Sequence, residues 1–326
     1  MIDRVADIVR AGQKFLLMTH RGPDGDGLGS MVGCAEMLRA LGKQVTMMLP
    51  DGAPEPLREL AGVREAPRKL DDSLKFDATF VFDTGDPRLL QNTLPKKEVA
   101  GTVVVIDHHR VAVEFGDVCW RDPEKAAVGV MVFELATRLG VALSTAAAEA
   151  LFVSLVSDTG SFRYANTDAS VLRIAAELVD RGAQPWKVTE RMQESQPLER
   201  LALLRRVLGT IKVTLGGKLA TLEVSDEMLK EAGATAEMVE GMVNYARGIR
   251  GVEVGALLSR KGYQVRASLR GRGHADVARV CAAFGGGGHH DAAGCEIGAK
   301  DLAAAREILE AAVKKEFEQE AGKAEA

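Results

Sequence analysis

Between residues 14 and 109 the chain returns four times to a short apolar run that ends in polar residues. "KFLLMTH" (14–20), "QVTMML" (44–49), "DATFVFDTGD" (77–86) and "GTVVVIDHH" (101–109) lack polar alternation, so each predicts a strand buried on both faces. Helical periodicity marks "GDGLGSMVGCAEMLRALG" (25–42), "AAVGVMVFELATRLG" (126–140) and "TAAAEALFVSLVSD" (145–158). Strands alternating with helices predict an α/β domain with a doubly wound, mainly parallel sheet over residues 1–184. Residues 185–209, "PWKVTERMQESQPLERLALLRRVLG", are charged and helix-favouring and read as a helical linker. The texture then changes. "TIKVTLGGKLATLEVS" predicts a hairpin, "VEVGALLSRKGYQVRASLRGRG" two further strands and "DLAAAREILEAAVKKEFEQEAG" a closing helix, a smaller α+β domain over 210–326. A cleft is expected between the two domains.

The 326 residues, 46% hydrophobic and 27% charged, have the composition of an ordinary globular protein. A net charge of −4 argues against a partner such as long duplex DNA, whose affinity comes from many neutralised phosphates. A short oligonucleotide or a mononucleotide remains open, because a few local arginines suffice to hold it. Cys34, Cys119, Cys281 and Cys295 are scattered and form no C-x-x-C pair, as expected of buried thiols in a reducing compartment. The start lacks the pattern of a signal peptide, and no apolar run has the length of a membrane span. A cytoplasmic protein without membrane contact is the expectation.

Ligands of parallel α/β sheets bind beyond the carboxyl ends of the strands. There lie His20, Asp24 and Asp26, then Asp83, then Asp107, His108 and His109, with Asp158 in "SLVSDTG". Each has an ordinary reading alone. H-x-x-x-D-x-D is a common turn, Asp83 suits a turn before a helix, and Asp158 suits a helix N-cap. Their convergence on one edge favours a metal centre. Carboxylates with a few imidazoles and no thiolate suit Mn²⁺ or Mg²⁺ better than structural zinc. The carboxylates are too many for one ion and would repel one another unneutralised. Two ions sharing one carboxylate answer both difficulties; such a pair activates water and clamps a phosphoryl group. Farther along, "GGGGHH" (285–290) offers backbone N–H groups to an anion. Arg266, Ser268, Arg270 and Arg272 alternate at strand spacing nearby.

"THRGPDGDGLGS", "VFDTGD", "VIDHHR" and "LVSDTGSFRY" resemble, in order and spacing, four motifs of the DHH-family phosphoesterases. "FGGGGHHDAAG" (284–294) resembles the signature of the DHH-associated C-terminal domain. At this length the chain is most similar to bacterial nanoRNases (oligoribonucleases), many of which also act as pAp phosphatases. The resemblance implies one metal on His20, Asp24 and Asp83 and a second on Asp26, Asp83, His108 and Asp158, with Asp83 bridging. It implies two divalent ions, Mn²⁺ first and Mg²⁺ or Co²⁺ as alternatives. His109 then faces the scissile phosphate and Asp107 orients it. Arg110, Arg266, Ser268, Arg270, Gly286, Gly287, Gly288 and His289 would contact substrate. Ala112 and Cys119 stand where such proteins usually have asparagine, and Val130 or Met131 where they have glutamate. The expected activity is metal-dependent hydrolysis of short single-stranded RNA, dinucleotides included, to nucleoside 5′-monophosphates. The competing readings are a phosphatase or pyrophosphatase for small anions and a catalytically silent nucleotide-binding regulator. A homodimer is left open.

Overall fold

The four apolar runs become parallel neighbours, and a fifth strand joins them at one edge. The computed structural model describes residues 1–71, 73–261 and 264–324. Its chain divides into two units, Met1–Ser195 and Gln196–Ala326. The first unit runs α1 (Ile2–Ala11), β1 (Lys14–Thr19), α2 (Gly25–Ala40), β2 (Gln44–Met47), β3 (Ala78–Phe82), α3 (Lys97–Ala100), β4 (Thr102–Asp107) and β5 (Val118–Arg121). The helices α4 (Val128–Leu139), α5 (Thr145–Asp158), α6 (Ala169–Asp180) and α7 (Pro185–Thr189) follow. The sheet order is β2-β1-β3-β4-β5, every pair parallel. The strand order reverses between β1 and β3, the point where such sheets open a binding crevice.

Both sheet faces are covered over β1, β3 and β4, which is why those sequences lack alternation. β2, expected to be buried on both faces, is instead an edge strand with Gln44 exposed and Val45 and Thr46 half-buried. Phe15, Leu17, Phe80, Phe82, Val104 and Ile106 join the core under α2, α4 and α5. On the opposite face, Leu16 and Met18 pack with Phe76, and Val81, Val103 and Val105 pack with Leu90 and Ala100. α2 and α5 lie unusually close. A methyl group on Gly29 would collide with the Ala150 carbonyl oxygen and come within 2.8 Å of the Ser154 nitrogen. Gly25 and Gly33, four residues either side, face Ser157 and Leu151 in the same way. This spacing of four puts the glycines on one helix face and lets two backbones approach.

The second unit contains α8 (Leu198–Leu208), β6 (Lys212–Thr214), β7 (Leu219–Val224), α9 (Asp226–Ala232), α10 (Val243–Arg247) and β8 (Val254–Lys261). It continues with β9 (Gln264–Gly271), α11 (Val277–Ala282), β10 (Gly287–Gly288), β11 (Ala292–Ile297) and α12 (Leu302–Ala324). Its mixed sheet has the order β10-β11-β9-β8-β7-β6. Leu203, Leu204 and Val207 of α8 are buried in this unit's core, so the division falls before α8. Gly262 and Tyr263, in the turn expected between two strands, lie outside the described residues. Among the described residues no helix is long and apolar enough to cross a membrane.

Candidate metal centre

Every polar cluster picked out by the strand pattern in the first unit sits at the carboxyl edge of its sheet or at the end of a helix facing it. His20 follows β1 directly, Asp83 follows β3, and His108 and His109 follow Asp107, the last residue of β4. The Thr19 hydroxyl donates to the Phe82 carbonyl at 3.0 Å and ties the ends of β1 and β3 together. Asp24 is the N-cap of α2, its Oδ1 accepting from the backbone N–H groups of Asp26 and Gly27. Asp158 is the last residue of α5, so its ordinary reading as an N-cap does not hold.

Asp83 lies at the middle of these groups. It is 4% exposed and takes φ +53°, a left-handed conformation in which Asp and Asn are enriched. This turns its two carboxylate oxygens toward different imidazoles. Oδ2 lies 3.8 Å from His20 Nε2, and Oδ1 lies 3.7 Å from His108 Nε2. Ligand atoms of His20, Asp24 and Asp83 fall within 4.8 Å of one another, as do those of Asp26, Asp83 and His108, and those of Asp83, Asp107 and His109. Asp83 belongs to all three groups. Asp158 Oδ2 approaches His108 Nε2 at 3.1 Å and completes the cluster.

The imidazoles are fixed by their other nitrogens. His108 Nδ1 donates to the Lys125 carbonyl at 2.9 Å, and His20 Nδ1 to the Arg21 carbonyl at 3.0 Å, leaving both Nε2 atoms for the centre. His109 Nδ1 donates to Asp107 Oδ1 at 2.8 Å. Asp107 therefore orients His109.

The electrostatics of the cluster favour positive charge at its centre. Burial, then the charge of Asp24, pushes the Asp83 carboxyl up to about 6. Burial followed by the charges of Asp158 and Asp83 holds Asp26 well above the usual carboxylate range. Burial would lower His20, but its hydrogen bond with Asp24 and the charges of Asp24 and Asp83 outweigh this and raise it to about 10. For His108, burial is again overridden, here by contact with Asp158, and the imidazole rises far above its ordinary value. His109 reaches about 9 for the same reason, its main partner being Asp107. These directions show a cluster of carboxylates whose field favours positive charge at its centre. Asp83 Oδ1 is also buried with no hydrogen-bond donor among the described residues, a costly state unless a cation faces it. An oxygen-rich set with imidazole nitrogens and no thiolate fits a hard or borderline divalent ion.

Sequence reasoning passed over two contributors, Ser30 and Ser154. Asp26, 0% exposed, accepts from both of their hydroxyls and from the backbone N–H groups of Val128 and Gly129. Asp26 on α2 therefore caps the N-terminus of α4, whose own N-cap, Ala127, carries no oxygen on its side chain to do so. The spacing of four between Asp26 and Ser30 was the available signal.

Arg110 lies on the surface and pairs with Glu124 at 3.2 Å, both side chains exposed. The Tyr164 ring, which its chemistry offers for base stacking, lies against Gly160. Phe162, partly buried, packs on Phe152 at the margin of the core.

In the second unit, Arg266, Ser268 and Arg270 share the outward face of β9, while Val265, Ala267 and Leu269 point into the core. Arg272 falls beyond the strand. Gly294 of β11 stands beside Ser268, and Gly287 of β10 beside Gly294, so this one row of the sheet carries no side chain on β10 and β11, while Glu296 stands beside Arg266 and Ala292 beside Arg270. His289 closes the β10–β11 turn, its N–H donating to the Ala292 carbonyl at 2.7 Å. A methyl on Gly286 would strike the Gly294 carbonyl, whereas one on Gly287 would meet nothing within 4 Å. Gly288, at φ +143°, has a conformation that suits glycine.

With this geometry in view, the comparisons with known proteins agree. The DHH family N-terminal domain matches residues 14–155, and the DHHA1 domain matches residues 216–315. Over 315 residues the chain is 33% identical to the bifunctional oligoribonuclease and PAP phosphatase NrnA of Thermus thermophilus, covering 96% of this chain and 93% of that protein. It is 25% identical over 286 residues to the protein of that name from Bacillus subtilis, covering 87% and 89%. Among solved structures, an exopolyphosphatase-related protein from Bacteroides fragilis matches with a TM-score of 0.87 at 25% identity, over 96% of this chain and 95% of that one. With both of the family's domains matched in order, and a relative of this identity matched over nearly its whole length, the chain belongs to the DHH family.

Proposed function

We propose that this protein hydrolyses short single-stranded oligoribonucleotides, dinucleotides such as pApA included, to nucleoside 5′-monophosphates. We further assign it removal of the 3′-phosphate from pAp, the 3′,5′-bisphosphate of adenosine. The observation that carries this reading is the position of Asp83, one carboxylate whose two oxygens serve two neighbouring ligand groups. The names of the two NrnA relatives support the substrate class.

In this reading His20, Asp24 and Asp83 hold one divalent ion, and Asp26, Asp83, His108 and Asp158 hold a second, with Mn²⁺ the first choice. When bound, such a pair supplies an acidified water and a positive clamp on the phosphoryl oxygens. The chain's own groups do the rest. Asp107 holds the His109 Nδ1 proton, so Nε2 is the atom that faces the departing oxygen and hands it a proton. In both proposed reactions the bond broken joins phosphorus to a 3′-oxygen, so one arrangement serves both. On the second unit, Arg266, Ser268 and Arg270, with Gly286, Gly287, Gly288 and His289, are proposed to recognise a phosphate or sugar. Local positive charge of this kind lets a protein of net charge −4 act on an anion.

The test is turnover with added Mn²⁺ of 5′-labelled RNAs from two to about twenty-four nucleotides, beside pAp and pyrophosphate. Rapid cleavage of the shortest RNAs, fading with length, supports the proposal. Turnover confined to pAp or pyrophosphate would replace it with a small-anion phosphatase. Tight nucleotide binding without any turnover would make the protein a regulator.

A further inference from the structure

We infer that Ser154, in the middle of α5, is a positioning residue that decides which oxygen of Asp26 faces the metal centre. This rests on the proposed metal-dependent reading and adds a residue to it.

The two oxygens of Asp26 have different surroundings. Oδ1 receives the Ser154 hydroxyl at 2.5 Å, the Ser30 hydroxyl at 3.1 Å and the Gly129 N–H at 3.3 Å. Three donors occupy that oxygen. Oδ2 receives the Val128 N–H at 2.8 Å and lies 3.4 Å from His108 Nε2, so it is the oxygen turned toward the centre. Ser154 also accepts the Gly129 N–H at 3.0 Å, which leaves its single proton for Asp26. Ser30 stands 3.5 Å from Ser154, and both hydroxyls are aimed at the same carboxylate oxygen.

The space around Ser154 is cut to its size. A methyl group on Gly29 would lie 3.0 Å from Ser154 Cβ, and one on Gly129 would collide with Ser154 Oγ. Three helices thus meet on one hydroxyl: α2 brings Asp26 and Ser30, α4 brings Val128 and Gly129, and α5 brings Ser154. Ser154 is 0% exposed, so water is not at hand to take its place. Without the hydroxyl, Oδ1 loses its shortest contact, and the orientation of the carboxylate rests on Ser30 and the Val128 and Gly129 N–H groups alone. Outer partners that orient a metal ligand in this way are worth about 10–100-fold in metal affinity or activity.

The experiment compares the full-length wild type with Ser154→Ala and Ser30→Ala. Calorimetric titration of Mn²⁺ into metal-free protein is read beside kcat and KM on pApA and the melting temperature in EDTA. Ser154→Ala is expected to weaken Mn²⁺ uptake about 10–100-fold and to lower kcat with KM unchanged. Its melting temperature in EDTA, expected to fall with the lost buried hydrogen bonds, reports packing separately from ion binding, and Ser30→Ala moves the same quantities by less. Unchanged Mn²⁺ affinity in a folded Ser154→Ala protein would overturn the inference, whether or not the protein melts earlier, because a packing role alone moves stability and not ion binding. A wild-type protein that takes up no Mn²⁺ would overturn the reading beneath it as well.

Discussion

Asp83 combines two demands that few side chains meet together. It must take a left-handed backbone at φ +53° and still present two anionic oxygens. Asn tolerates that backbone and matches the shape while removing the charge, so Asp83→Asn tests the chemistry without straining the turn, as Ala would. We expect Asp83→Asn to lose at least about a hundredfold in turnover of pApA, since even an outer partner of a metal ligand is worth up to that much. Its far-ultraviolet circular dichroism should match the wild type. A variant retaining full turnover would sink the shared-carboxylate centre. The centre's polar groups were legible because each stands directly after a buried strand or at a helix end, where polar residues interrupt an apolar pattern. Ser154 was not, because a serine within a helix is an ordinary residue until the carboxylate it faces, 128 positions away, is known, whereas Ser30 carried only the weak signal of standing four residues after Asp26. Asp158 was legible both as a member of the cluster and as the end of the helix read over 145–158, where α5 ends; only its alternative reading as an N-cap fails.

At the level of elements, contact between α2 and α5 joins the two helices that carry Asp26 and Asp158. Gly29→Ala would force these helices apart, because the new methyl meets a backbone carbonyl that cannot swing away. The expected cost is about 1–3 kcal/mol, read as a lower midpoint in urea for the first unit. A parallel pair of substitutions addresses the glycine run of the second unit. Gly286→Ala meets the Gly294 carbonyl and should destabilise by a similar amount. Gly287→Ala meets nothing, so it should leave the melting temperature in place and raise KM for pApA where that run receives substrate. An unchanged KM would remove the glycine run from substrate binding. Most of the sheet was visible in the sequence because its central strands are buried on both faces. β5 was not, since "VCWR" is only four residues long and alternates buried with half-buried positions. The spacing of Gly25, Gly29 and Gly33 was present in the sequence, but its purpose depends on what packs against it.

For the molecule as a whole, all the proposed metal ligands lie in the first unit, while the arginine face lies in the second. Binding stabilises only the unit that holds the ions. EDTA should therefore lower the melting transition of the first unit and leave that of the second unchanged. Mn²⁺ at about a hundredfold above its dissociation constant should restore about 2.7 kcal/mol. Differential scanning calorimetry of the full chain checks this, and a shift confined to the second transition would contradict it. The −4 charge argued only against long duplex DNA, and the alternation of Arg266, Ser268 and Arg270 was legible because they share one face of a strand.

The capping of α4 by Asp26 bears on how the chain reaches its native state. Asp26 and Val128 are 102 residues apart, and the ligands themselves run from His20 to Asp158. As the chain leaves the ribosome, His20, Asp24 and Asp26 emerge long before Asp158, and parallel pairing of β1, β3 and β4 needs long loops to close first. The centre is therefore assembled last, after the entropy of those closures has been lost. Interactions absent from the transition state slow unfolding and leave folding rates alone. In stopped-flow measurements, Mn²⁺ should slow unfolding of the first unit in urea while its refolding rate stays the same. On this view the ions lock a finished sheet and do not nucleate it.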